Sequence, residues 1–264
     1  MATASQTAAL PALERAAALL DREIGREARV NGAGYLDLIG GEGPESTGTV
    51  QNLMLTGLVP RIYERWWRPA LGRAMKGVLG PGMADEHRIA RTLLTLGPGD
   101  AVLDVACGTG NFTRGFARSV GPDGLAIGID VSETMLARAV TDSGAAGLAD
   151  RAAYVRGDAQ ELPFVEGVFD GVCCFAALHL FADPSRALNR MTAMLAPGGR
   201  LAIFTSVRGR SAALRTWESV AGGRSGMRLF ERDEVVRGLE RRGFTHVRQL
   251  VTGVTQFVGG ARAG

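Results

Sequence analysis

Between residues 10 and 28 apolar side chains recur at alternating three- and four-residue steps, with Leu10, Leu13, Ala17, Leu20 and Ile24 on one side. That period predicts a single amphipathic helix with one face to bury. Glycines, Pro44 and Ser46 break the pattern between 31 and 50, leaving the apolar run Tyr35 to Ile39 as a short strand or hook inside a loop. A second helix is expected over 58–77, where Tyr63, Trp66 and Trp67 alternate with arginines before Gly80, Pro81 and Gly82 end it. A third, 84–95, leads into the turn Gly97-Pro98-Gly99-Asp100. From residue 101 the period changes. Short strand-like runs at 101–106, 125–130, 152–157, 168–175 and 200–206 alternate with helical stretches, the pattern of right-handed βαβ units around a mostly parallel sheet covered on both faces. The runs 244–250 and 253–261 are too close together for a crossover and can only form an antiparallel hairpin.

Composition narrows the class. Of 264 residues, 46% are hydrophobic and 22% charged, so the chain can bury a sizeable core. The net charge of +3 comes from scattered arginines with no basic run, so no nucleic-acid partner is expected. Cys107, Cys173 and Cys174 form no CxxC pair, which leaves reduced thiols and no metal as the expectation. No apolar stretch approaches the ~20 residues of a membrane span. The alanine-rich N-terminus carries Glu14, Arg15 and Asp21 where a signal peptide would be uncharged, so a cytoplasmic location is expected.

The candidate chemistry begins at VLDVACGTGNFT, 102–113, which runs from a strand through a glycine turn into a helix. Gly108 and Gly110 would let the backbone approach a ligand where a Cβ would collide. Twenty residues after Gly110 the strand LAIGID ends on Asp130, whose carboxylate can accept both hydroxyls of a ribose. A dinucleotide site requires a third small residue in the turn, and here that position is Thr113. Asp104, just before the turn, would repel a pyrophosphate but suits an ammonium group. The residues therefore favour S-adenosylmethionine over NAD.

In these motifs the chain closely resembles the class I S-adenosylmethionine-dependent methyltransferases, in particular the ubiquinone and menaquinone biosynthesis branch. The resemblance spans residues 90–206 in order: VLDVACGTG with Ala106 in place of the usual first glycine, GIDVSETML at 128–136, RGDAQELPF at 156–164, FDGVCCFAALHLFADP at 169–184 and LAPGGRLAIF at 195–204. It implies an α/β fold, a Rossmann-like seven-stranded sheet, mostly parallel with a C-terminal antiparallel hairpin, plus an N-terminal helical extension. Residues 1–82 would be that extension, acting as a lid, and 83–264 the cofactor-binding domain. The resemblance also implies that Asp104, Ala106, Cys107, Gly108 and Gly110 surround the methionine part of the cofactor. Asp130 would hold the ribose, Val131 and Met135 the adenine face, and Asp158, Ala159 and Gln160 the adenine edge. Asp158 also reads as an ordinary turn residue.

The fourth motif places Phe175, Ala176 and His179 near the transferred methyl. His179 reads either as a general base for an acceptor hydroxyl or as a packing and capping residue, since methyl transfer from a sulfonium often needs no base. Tyr63 and Trp67 are lid candidates, as aromatic faces attract a sulfonium, although such a stripe is also ordinary core. Arg208, Trp217 and Phe230 lie in a stretch, 207–230, that interrupts the βα pattern and is expected on the acceptor side. GAGYLDLIGG at 32–41 is similar to a segment of ribosomal-RNA guanine methyltransferases, which carry a zinc-binding cysteine cluster upstream. No cysteine precedes Cys107, so the segment is read as shared scaffold. The expected function is methylation of a small molecule at oxygen or carbon, a quinone or secondary metabolite. The alternatives are an RNA methyltransferase, or a cofactor-binding protein with another role such as a cyclase.

Overall fold

A computed structural model of the protein describes residues 11–40, 80–209 and 228–264. The helix expected over 58–77, with Tyr63, Trp66 and Trp67, and the residue Trp217 lie outside the described residues. None of the described helices is long and apolar enough to cross a membrane.

Five parallel strands form the centre: β3 (Ala101–Val105), β4 (Leu125–Asp130), β5 (Ala152–Arg156), β6 (Phe169–Phe175) and β7 (Leu195–Ser206). Their runs are apolar on both sides because both faces of the sheet are covered. On one face Leu103, Ile127, Ile129, Val172 and Ile203 pack against α1 (Pro11–Ala18), α6 (Pro184–Met194) and α7 (Glu234–Glu240) through Leu13, Leu188, Met191 and Leu239. On the other, Val102, Ala126, Cys173 and Ala202 meet α3 (Met83–Leu94) and α4 (Asn111–Val120) through Leu94, Phe112 and Phe116. There too α5 (Glu133–Ala145) sets Leu136 and Ala139 against Tyr154 of β5. β8 (Phe244–Thr252) and β9 (Thr255–Arg262) make the antiparallel hairpin, with β9 against β7.

The sheet differs from the seven strands read from the sequence. It has nine among the described residues, in the order β1-β2-β5-β4-β3-β6-β7-β9-β8. The two additions are β1 (Arg29–Val30) and β2 (Leu36–Asp37), and β2 extends the sheet by pairing in parallel with β5. Two-residue strands carry no period of their own, so only the run Tyr35 to Ile39 signalled them.

The single helix expected over 10–28 is also corrected: the chain forms α1, breaks, and resumes as α2 (Arg22–Glu27). At the break Leu20 bridges Phe164, the Leu19 carbonyl accepts from Val165 N–H, and Asp21 N–H donates to the Pro163 carbonyl at 2.9 Å. Backbone pairing with a distant segment thus replaces helical bonds that the side-chain period alone would have continued. Asp21 then caps α2 by accepting from Glu23 N–H.

Strand order reverses at β3. The chain steps from β3 to β4 and β5 on one side and then returns to place β6 on the other. The carboxyl ends of β3 and β6 therefore flank a crevice at the topological switch point, where ligands bind in open sheets of this kind.

Candidate cofactor site

The turn after β3 is built on left-handed backbone. Ala106, Gly108 and Gly110 have φ of 58°, 55° and 71°. For an alanine that conformation costs about 1–2 kcal/mol. Ala176, at the end of the neighbouring β6, has φ of 60°. Two strained alanines thus sit at the carboxyl ends of the two strands that flank the switch point. The strain is held by backbone bonds: Cys107 N–H donates to the Ile129 carbonyl, Gly110 N–H to the Cys107 carbonyl, and Ala176 N–H to the Phe204 carbonyl at 2.8 Å.

The two turn glycines serve different purposes. A Cβ on Gly108 would meet no atom within 4 Å, so the missing side chain leaves open space. A Cβ on Gly110 would lie 2.3 Å from the Tyr154 hydroxyl, so this glycine is required by packing beneath the turn. Tyr154 is buried and bonds Ser143 across 2.7 Å. Burial is the main reason its phenol is pushed far above the usual range, so it stays neutral. Cys107 turns its thiol inward over Gly128 and beside Thr113, and burial, reinforced by Asp130 and Asp104, holds that thiol protonated. The Thr113 hydroxyl donates to Asp104 Oδ2 at 2.6 Å. The residue that departs from the dinucleotide pattern is therefore the one that orients Asp104.

Asp130 closes the site from β4. Its Oδ2 accepts Gly108 N–H at 2.8 Å and its Oδ1 accepts Ser132 N–H at 2.9 Å. Burial raises its pKa in spite of these donors. Each oxygen retains a lone pair, so the carboxylate is fixed in orientation and still able to accept. Ser132 caps α5 by accepting from Met135 N–H, which puts Met135 in the first turn next to Val131.

After β5, Asp158 Oδ1 accepts Gln160 N–H at 2.8 Å, the turn geometry that was the plainer reading of this residue. Its Oδ2 has no hydrogen-bond partner among the described residues. The Gln160 side chain accepts from Asp183 N–H, tying this loop to the start of α6, and Ala159 is buried in the core.

Sequence reasoning missed Arg156. Its side chain is only 5% exposed, and Nη1 pairs with Glu133 at 2.9 Å and with Asp37 at 3.2 Å while Nε donates to the Val131 carbonyl at 3.2 Å. Burial raises the Asp37 pKa, but N–H donors from Gly40 and Ile39 together with Arg156 outweigh it and bring the carboxyl below its ordinary value. An arginine inside an otherwise apolar strand was the only available signal.

On the β6 side, Phe175 is buried in an aromatic row, 4.7 Å from Phe112 and 5.9 Å from both Phe204 and Phe257. His179 lies in a short 3-10 turn, Leu178–Leu180, and its Nδ1 is 3.3 Å from the Thr205 hydroxyl. Burial pushes its pKa down to about 4, so the ring is neutral at physiological pH. Arg208 pairs with Glu231 and its N–H donates to the Phe230 carbonyl. Phe230 is 2% exposed, with Arg228 over its ring, so its side chain belongs to the core.

A doubly wound sheet with a glycine turn after its central strand and a carboxylate ending the next is an arrangement that suits an adenosine-bearing cofactor. Residues 102–199 match the family model described as a methyltransferase domain. A demethylmenaquinone methyltransferase of Symbiobacterium thermophilum is 39% identical over 128 residues, covering 48% of this chain and 51% of the relative. A ubiquinone/menaquinone biosynthesis C-methyltransferase of Saccharophagus degradans is 38% identical over 117 residues, covering 43% and 46%. The chain thus spans about half the length of these relatives. Among solved structures the (4+2)-cyclase SpnF is similar over 84% of this chain and 98% of its own, with a TM-score of 0.63 and 18% identity, a likeness of fold.

Proposed function

We propose that the protein is an enzyme that transfers a methyl group from S-adenosylmethionine to a small ring-bearing acceptor of the quinone type, at carbon or oxygen. The observation that carries this reading is the pairing of an oriented Asp130 carboxylate with the open space over Gly108. Bound there, the cofactor supplies a methyl group activated by its sulfonium. Asp130 accepts the ribose hydroxyls through its remaining lone pairs, and Asp158 Oδ2 accepts the adenine amino group. Asp104, oriented by Thr113, faces the methionine ammonium. Val131 and Met135 pack on the adenine, with the Ala106 and Cys107 backbone bordering the turn. The match to quinone methyltransferases supports the acceptor class.

His179 is a weak base at a pKa of about 4, so we assign it to orienting an acceptor and not to removing a proton. Rate enhancement then rests on alignment and on exclusion of water. Within the extension 1–82, α1 and β2 belong to the core and sheet of the domain, so the proposed lid contacts are Tyr63 and Trp67, with Trp217 proposed on the acceptor side from the stretch 207–230. We propose a cytoplasmic location, which the three free cysteines support.

The test is incubation with S-adenosylmethionine and a short-chain demethylmenaquinol, kept reduced because only the quinol ring can attack the sulfonium methyl, and read by mass spectrometry after oxidation to the quinone. The expected result is S-adenosylhomocysteine together with a quinone one methyl heavier. Tight cofactor binding with no methylated product from any quinol or phenol supplied would contradict the acceptor class.

A further inference from the structure

The hook at the sheet's edge and the adenosine wall share one buried cation. β1 and β2 form a tight antiparallel turn, with Asn31 N–H donating to the Tyr35 carbonyl at 2.7 Å. β2 then pairs with the end of β5, placing Leu36 opposite Val155 and Asp37 opposite Arg156. Tyr35, 2% exposed, packs against Leu136 and Ala139, and a Cβ on Gly34 would come within 3.2 Å of Val140. All three partners lie on α5, the helix that carries Met135 and starts directly after the ribose carboxylate. From beneath, Arg156 holds Asp37 of the hook and, on the other side, the Val131 carbonyl and Glu133. The next residue, Gly157, donates its N–H to the Asp130 carbonyl at 3.1 Å.

We infer that the hook, residues 29–39, is a clamp on the adenosine side of the site, and that Arg156 is the positioning residue that couples its docking to cofactor binding. Two contacts carry the coupling. Tyr35 and Gly34 press on α5, and the guanidinium spans Asp37 and Val131. Glu133 is 57% exposed and its attraction is screened by water, so Asp37, 18% exposed, is the better shielded of these two carboxylates. Undocking the hook would take the shielded Asp37 carboxylate away from the guanidinium and would loosen its hold on the Val131 loop. By reciprocity, a ligand that fixes Val131 and Asp130 must favour the docked hook.

This inference rests on the cofactor reading above, and the experiment separates the two. S-adenosylhomocysteine is titrated calorimetrically into the full-length wild type, Asp37→Asn and Arg156→Lys, and amide exchange is followed with and without it. Wild-type binding upholds the cofactor reading on its own. The coupling predicts about fivefold to twentyfold weaker binding by Asp37→Asn, within the range of ordinary coupling factors. Arg156→Lys keeps the charge but loses the Nε donor to Val131, and should show the same loss of affinity with less loss of stability. Amide exchange at Leu36, Leu38 and Ile39 should slow when S-adenosylhomocysteine binds. A purely structural role would instead lower the melting temperature of both variants while leaving their affinities at the wild-type value and hook exchange indifferent to ligand. That outcome overturns the coupling with the cofactor reading intact. Failure of the wild type to bind S-adenosylhomocysteine overturns both.

Discussion

Gly108 N–H donates to Asp130 Oδ2 at 2.8 Å, joining the turn after β3 to the end of β4 across 22 residues of sequence. With Ser132 N–H on the other oxygen, the carboxylate is held in one orientation before any ligand arrives. Binding therefore has little ordering to accomplish at this point, and loss of the carboxylate should be felt mainly in affinity.

Asp130→Ala removes two charge-assisted acceptors and should weaken S-adenosylhomocysteine binding by about 1.5–3 kcal/mol. Because burial raises the Asp130 pKa, acidification should protonate it ahead of surface aspartates. Calorimetric affinity measured over a pH series should fall more steeply on the acid side for the wild type than for the variant.

Gly108 and Gly110 should respond in opposite ways to alanine. Gly108→Ala adds a methyl in open space, so its stability cost is limited to left-handed strain, about 1 kcal/mol, while the methyl fills the cofactor's approach. Gly110→Ala drives a Cβ into the Tyr154 hydroxyl and should cost about 2–5 kcal/mol. Urea denaturation and S-adenosylhomocysteine titration of the pair separate the roles: equal destabilisation would show that the space over Gly108 is not open.

Ala106 has φ of 58° with no glycine to relieve it. Ala106→Gly removes that strain but adds flexibility to the unfolded chain, for a net gain of about 0.5–1 kcal/mol. Thermal melting should shift upward. An unchanged or lower midpoint would mean that the methyl's packing outweighs the strain.

His179 titrates near 4 when folded, against about 6.5 when unfolded, because burial disfavours its charged form. The unfolded chain therefore binds a proton that the native state refuses between those values. Its contribution to stability is intact above about pH 6.5 and is lost as the pH falls toward 4, by up to ~3 kcal/mol. Denaturation midpoints at pH 7 and 4.5 should differ less for His179→Asn than for the wild type. Parallel pH dependences would mean that His179 is not shielded.

The central strands were legible because β3, β4, β5 and β6 are largely buried on both faces and read as mainly apolar runs ended by turns. The same runs placed Gly108, Gly110 and Asp130 at carboxyl ends, where the structure joins them. The break at Leu20 was hidden because apolar spacing continues across it, while the backbone bonds that cause it reach Pro163 and Val165. β7 begins at Leu195, earlier than the expected residue 200, because pairing with β6 resumes across an irregularity between Phe169 and Gly171 that no side-chain pattern marks. Nothing in the sequence near Arg156 points to its partner Asp37, which lies 119 residues away. Assigning both turn glycines to the ligand overlooked Tyr154, whose approach to Gly110 exists only in three dimensions.

The most direct test of the cofactor assignment is calorimetric titration of the purified protein with S-adenosylmethionine and S-adenosylhomocysteine, with NAD as control. Micromolar binding of the first two and none of NAD is the predicted result; binding of NAD alone would contradict the account.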